Sequence, residues 1–180
     1  FIGRLYWQKR PWLFIRIGAE VTRLRPELGA RFVLVGDGPE RERVEQLIRR
    51  CFLGKRVLVA GETSQPGQIY RDADIMLMTS GHEGLAYVSY EAMSMGLPQI
   101  FTDVNGQSEL ITAETGILLP PEDEDGVVST GTDAVIRLLE NPTERQAMSD
   151  AGRKRIRAFA LSHMASEYEA LYRRLIGASS

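Results

Sequence analysis

The chain has 180 residues, 43% hydrophobic and 26% charged, the make-up of one globular domain with room for a sizeable core. Its 22 basic and 24 acidic residues leave a formal net charge of -2, which excludes a general positive field for nucleic acid or an anionic membrane. A single cysteine, Cys51, excludes an internal disulfide and fits a reducing, cytoplasmic setting, and no run approaches the roughly 18 apolar residues of a membrane span.

The first residues, Phe1-Ile2-Gly3, read as part of a strand with no initiating Met, so the chain is expected to be a piece of a longer protein whose missing part lies N-terminal. After Pro11, a good first-turn residue, Trp12, Leu13, Ile15, Ile17, Val21 and Leu24 fall at helical spacing. Residues 31–35 form the next buried strand, closed by Gly36-Asp37-Gly38-Pro39. An amphipathic helix from Pro39 to about Phe52 and a strand at 56–60 follow, then a short helix at 65–71 and a strand at 74–78. A loop at 80–84 leads to a helix starting near Leu85. Strands at 99–102 and 116–119 flank a short helix near 108–112, and the chain is helical from about Gly126. Short apolar strands alternating with helices predict an α/β domain built on a doubly wound parallel sheet, over residues 1–180 as one unit. The acidic run Pro120 to Asp125 reads as a solvated loop.

The loop Ser80-Gly81-His82-Glu83-Gly84 and the helix after it hold the most chemistry. Ligands bind in open α/β sheets beyond the carboxyl ends of the strands, and a helix N-terminus there suits a phosphate. Glu83 sits beside that position, and Glu91, followed by small and apolar Ala92-Met93, reads as a buried acid in need of polar partners. Arg4 and Lys9 follow the first strand, where two cations can clamp a diphosphate or simply decorate the surface. Gly36 and Gly38 allow close backbone approach to a ligand but lack the third glycine of a dinucleotide fingerprint. Asp72 and Asp74 read as a helix end and a strand start rather than a metal site. His82 is either a substrate contact or a polar loop residue, and His163 belongs to the last helix's surface.

In order and spacing, Gly3-Arg4-Leu5 with Lys9, Val35 to Arg41, Tyr70 to Asp74, Glu83-Gly84 through Glu91-Ala92-Met93, Gly96-Leu97-Pro98, Thr102 to Gly106 with Glu109, and Gly116 to Pro121 resemble one family. It is the retaining, nucleotide-sugar-dependent glycosyltransferases of the GT-B fold, group 1 or family 4 type, and the likeness is to their C-terminal, Rossmann-like, donor-binding domain. The resemblance implies transfer of a hexose-type sugar from a nucleotide diphosphate sugar with retained anomeric configuration, without a metal or other cofactor. It implies that Arg4 and Lys9 bind the donor diphosphate and stabilise the leaving phosphate, that Glu83 contacts donor-sugar hydroxyls, and that Glu91 holds the ribose. Gly3, Gly36, Gly38 and Gly84, with the backbone N–H groups of Leu85, Ala86 and Tyr87, would line the donor site, and Val59 to Thr63, including Gly61, would lie against the base. The acceptor, a glycan, lipid or small molecule, would be bound by an N-terminal domain outside this chain, as would any peripheral membrane surface. Leu85-Ala86-Tyr87 departs from the Phe-Gly or Pro-containing pair common after Glu-Gly in the family, which bears on donor preference. A non-catalytic sugar-nucleotide-binding module on the same fold, and an epimerase or phosphorylase, are the alternative readings.

Overall fold

The computed structural model describes residues 1–84, 86–121 and 123–177. Among these residues five strands alternate with helices: β1 (Phe32–Val35), β2 (Val57–Gly61), β3 (Met76–Met78), β4 (Gln99–Thr102) and β5 (Gly116–Leu119). The helices are α1 (Pro11–Leu24), α2 (Arg41–Arg50), α3 (Pro66–Asp72), α4 (Tyr87–Ser94), α5 (Gln107–Leu110), α6 (Glu124–Glu140), α7 (Pro142–Arg155) and α8 (Leu161–Gly177). All strand pairing is parallel, β1 with β2, and β3 with β4 with β5. The segment Phe1–Gly3 joins β1: the Phe1 amine donates to the Val33 carbonyl at 2.9 Å, and Gly3 N–H donates to the Val35 carbonyl at 2.9 Å. Hydrogen bonding therefore divides the expected sheet into two groups, with Phe1–Gly3 on the free side of β1. The two share one core, because Phe1, Leu34, Met78, Ile100, Phe101 and Leu119 belong to a single buried cluster.

The sequence patterns explain the layers. β3 and β4 are buried throughout, as a strand covered by helices on both faces must be. β2 alternates and leaves Leu58 59% exposed, as suits an edge. α1 opens on Pro11, whose absent N–H costs nothing at the first turn, and buries Leu13, Phe14, Ile15, Ile17 and Val21 between the strands and α6. α2 buries only Val44 and Ile48 and turns its Arg and Glu residues to water. In contrast, α8 buries no residue, and Leu161, Met164, Tyr168, Leu171 and Leu175 form an exposed stripe along it.

The carboxyl ends of the strands are fastened into one rim. At that end Leu34 and Val35 interrupt the register with β2, and Gly36 N–H donates to the Gly61 carbonyl at 2.7 Å. Leu5 N–H reaches the Asp37 carbonyl at 2.8 Å, and Glu40 N–H the Leu5 carbonyl at 3.0 Å. Gly36 and Gly38 have φ of 133° and 152°, and a Cβ on them would lie 2.0 Å from the Gly3 carbonyl oxygen and 2.5 Å from that of Leu5. No other residue type fits such an approach. These two glycines are thus needed to pack the Gly3–Leu5 segment against the next loop.

Candidate donor-binding site

The loop after Phe1–Gly3 passes through a 3-10 turn, Trp7–Lys9, and meets the loop after β3. Gly81 N–H donates to the Gln8 carbonyl at 2.7 Å, and the Thr79 hydroxyl to the Arg10 carbonyl at 2.9 Å. Arg10 returns two bonds, Nε to the Thr79 carbonyl at 2.7 Å and Nη2 to the Ser80 carbonyl at 3.0 Å. Its backbone lies in the left-handed region at φ 44°, a conformation that costs a non-glycine residue about 1–2 kcal/mol and that these contacts hold in place. Burial pulls the Arg10 guanidinium below its ordinary pKa, and the charge of Glu124 partly offsets this.

That fastening delivers Lys9 to Glu83. Lys9 Nζ lies 2.5 Å from Glu83 Oε1, and the Ser80 hydroxyl donates to the same oxygen at 2.5 Å. Glu83 is 8% exposed and Lys9 20%, so the pair is largely withdrawn from water. Both bonds land on Oε1, leaving Oε2 with no protein partner among the described residues. The backbone of Glu83 is held too, since the Asn105 amide donates to its carbonyl. Thr102, at the end of β4, donates its hydroxyl to the Ser80 carbonyl.

Arg4, in contrast, is exposed and makes no ion pair among the described residues; its guanidinium carbon lies 5.9 Å from the centre of the Tyr6 ring. The two expected cations are therefore unlike. Among the described residues Lys9 is engaged by a carboxylate and Arg4 by none. α4 begins at Tyr87, two residues later than expected, because Ala86 is extended at φ -79° and ψ 91°. No side chain caps it, and the amides of Ala86 and Tyr87 meet no protein acceptor among the described residues. Leu85 lies outside the described residues.

Glu91 corrects an expectation. It is exposed, while Ala92 and Met93 beside it are buried. Its partner is the hydroxyl of Tyr70, which donates to Oε2 at 2.7 Å from the end of α3. Burial above all, then the bond to Glu91 and its charge, holds the Tyr70 phenol well above its ordinary pKa of 10.0. α4 is pinned to β4 by Gln99, whose amide donates to the Ser89 carbonyl at 2.9 Å.

The family model for glycosyl transferases group 1 matches residues 1–155. The chain belongs to that family. As a group 1 glycosyltransferase, it is 33% identical over 148 residues to the N-acetyl-alpha-D-glucosaminyl L-malate synthase of Bacillus anthracis, covering 81% of this chain and 38% of that protein. It is 32% identical over 180 residues to the alpha-D-kanosaminyltransferase of Streptomyces kanamyceticus, covering 97% of this chain and 45% of the relative. The chain thus spans less than half the length of these two relatives. Among solved structures, sucrose-phosphate synthase from Thermosynechococcus elongatus aligns with a TM-score of 0.77 at 30% identity, covering 98% of this chain and 44% of that one. TarM aligns at 0.86 with 20% identity, covering 96% and 34%, and shows the shared GT-B fold.

Of the other expected residues, Gly61 ends β2, and Gly84, Ala86 and Tyr87 follow the carboxyl end of β3. Gly3 was expected on a first strand but lies in a bend just after an isolated bridge between Ile2 and Val35, and Gly61, at φ 72°, has open space where a Cβ would be. Gly84 and Tyr87 are exposed, and Ala86 is buried. His82 is exposed, 3.4 Å from the Asn105 side-chain nitrogen. Asp72 ends α3, Asp74 faces Arg145 at 3.9 Å, and His163 lies on α8 beside Glu167 at 3.7 Å. Nothing in the residue pattern assigned a role to Arg10, Ser80, Asn105 or the Tyr70 hydroxyl, although Ser80, Asn105 and Tyr70 stand within the motifs. The pattern also missed Gln107, which is 3% exposed with its Oε1 unpartnered among the described residues. Among those residues no helix is long and apolar enough to cross a membrane.

Proposed function

We propose that this chain is the donor-binding and catalytic half of a retaining glycosyltransferase that moves a hexose-type sugar from a nucleoside diphosphate sugar to a glycan, lipid or small-molecule acceptor. The observation that carries the reading is the contrast within one loop: an exposed Arg4 that makes no ion pair among the described residues, and, five residues on, a Lys9 held by Glu83, whose Oε2 has no protein partner among those residues. In this reading Arg4 meets the diphosphate, joined by Lys9, whose ammonium has donors beyond the one aimed at Glu83. Charge building on the leaving phosphate as the glycosidic bond breaks is then met by cations already in place. Glu83 Oε2 accepts a hydrogen bond from a donor-sugar hydroxyl, and the open amides at Ala86 and Tyr87 face sugar or phosphate oxygens. Departure of the phosphate on the same face as acceptor attack retains the configuration without a covalent sugar–enzyme intermediate. Glu91 Oε1, not used by Tyr70, takes a ribose hydroxyl.

Two structural neighbours support the ligand class. Anabaena Alr3699/HepE is solved in complex with UDP and glucose, and pneumococcal GtfA with UDP and GlcNAc. The cationic role falls to Arg4 and Lys9 with no metal, so EDTA treatment should leave nucleotide binding unchanged. The reading places most of the acceptor site, and any peripheral membrane contact, in a further domain of a cytoplasmic protein. Calorimetric titration with UDP, GDP and ADP and their sugar conjugates tests it. One base should bind, and Arg4→Ala/Lys9→Ala should abolish that binding; binding that survives the double substitution would refute the site.

A further inference from the structure

Between Arg4 and Lys9 stand two aromatic residues that the proposed donor chemistry does not use. Trp7 is 59% exposed and Tyr6 39%. The other tryptophan shows what a structural indole looks like here: Trp12 is 7% exposed, carries the Arg43 guanidinium 3.8 Å above its ring, and donates Nε1–H to Glu124 at 2.9 Å. Neither the Trp7 indole N–H nor the Tyr6 hydroxyl has a partner among the described residues. Their backbone, however, is firmly held. Lys9 N–H donates to the Tyr6 carbonyl at 2.9 Å and Arg10 N–H to that of Trp7 at 3.1 Å, and the turn is bound on both sides by the bonds of Leu5 and Gln8 to neighbouring loops. A large ring in water, on a rigid turn two residues from the Lys9–Glu83 pair, has the properties of a ligand contact: apolar area at low entropic cost, with one polar handle.

We propose that Trp7, with Tyr6 beside it, stacks on the nonpolar C–H face of a pyranose ring and donates its indole N–H to a hydroxyl on that ring's edge. The proposal rests on the donor-site reading above and adds the residue that selects the sugar. The ring belongs either to the donor or to the acceptor, and fluorescence separates the two. In Trp12→Phe protein the one remaining indole is Trp7. A donor-ring contact predicts that UDP-glucose or UDP-GlcNAc blue-shifts its emission while UDP alone does not, with Trp7→Ala raising the Kd of the sugar conjugate about tenfold and leaving that of UDP unchanged. An acceptor-ring contact predicts no shift with either, and a shift when methyl α-D-glucoside is added to UDP-saturated protein. Trp7→Phe, which keeps a ring, should retain most of the affinity by calorimetry in otherwise unaltered protein. If UDP binds but none of these sugars moves the emission and Trp7→Ala leaves every Kd within twofold, the platform is refuted and the donor site stands. If UDP, GDP, ADP and their conjugates all fail to bind, the donor-site reading falls and the platform with it.

Discussion

Lys9 and Glu83 are predicted to be coupled in folding as well as in binding. In Lys9→Met the Glu83 carboxylate, 8% exposed, keeps the Ser80 hydroxyl alone among its partners in the described residues. Leaving one member of a buried ion pair uncompensated costs about 3–5 kcal/mol, and the 20% exposure of Lys9 lowers the expectation here to about 2–4 kcal/mol. For a chain of this size that is a fall in Tm of roughly 5–15 °C. Glu83→Gln keeps an acceptor for both donors and leaves a partly hydrated ammonium, so its cost should be about 1–2 kcal/mol. The double variant buries no orphan charge, and its loss should fall short of the sum by about 1–3 kcal/mol. Urea unfolding followed by circular dichroism gives all four corners of the cycle. Additivity within about 0.5 kcal/mol would mean that the two side chains do not share a proton donor and acceptor in solution, and the argument that Arg4 is the open cation would fail with it.

Gly38→Ala should cost about 2–3 kcal/mol in urea unfolding, because its Cβ would lie 2.5 Å from the Leu5 carbonyl oxygen at φ 152°. A loss below 0.5 kcal/mol would show that the loops are not packed as described. The phenol of Tyr70 is held above its ordinary 10.0, so its contribution to stability is full below pH 10.0 and is lost as pH rises beyond that value. Tyr70→Phe should cost about 1 kcal/mol at pH 7 and flatten the alkaline limb of the stability profile, and an unchanged alkaline limb would contradict the assignment. Gln107→Leu removes a buried oxygen that has no partner among the described residues, so it should leave stability unchanged or raise it by up to about 1 kcal/mol, as read from the unfolding midpoint.

The layers were legible because they rest on local pattern. Pro11 and the apolar spacing behind it mark α1 within its own residues, and the short apolar runs mark β1, β3 and β4. Glu91 was misread because Ala92 and Met93 are indeed buried, but each helical residue turns about 100° from the last, and that step carries Glu91 to the outer face. α4 starts late because Ala86 stays extended, and no capping residue announces the boundary. The site was legible only in part. Residue types and family resemblance marked Arg4, Lys9 and Glu83, yet nothing local says that Lys9 is taken by Glu83 and Arg4 is left open, because those partners are 74 residues apart. Arg10 was invisible for the same reason: its partners are the carbonyls of Thr79 and Ser80, which any sequence supplies. Its place immediately before Pro11, where an ordinary helical backbone is disfavoured, was the one available signal.

Everything proposed for this rim depends on its recognising a diphosphate through Arg4. The affinities of the preferred nucleoside diphosphate and of its free nucleoside, measured by calorimetry for the wild type and for Arg4→Ala, test it most directly. The account predicts that the diphosphate gives the wild type a tenfold to hundredfold advantage, roughly the 1.5–3 kcal/mol of a charge-assisted contact, and that Arg4→Ala removes most of it while nucleoside affinity holds. An advantage of the same size in both proteins would contradict the account.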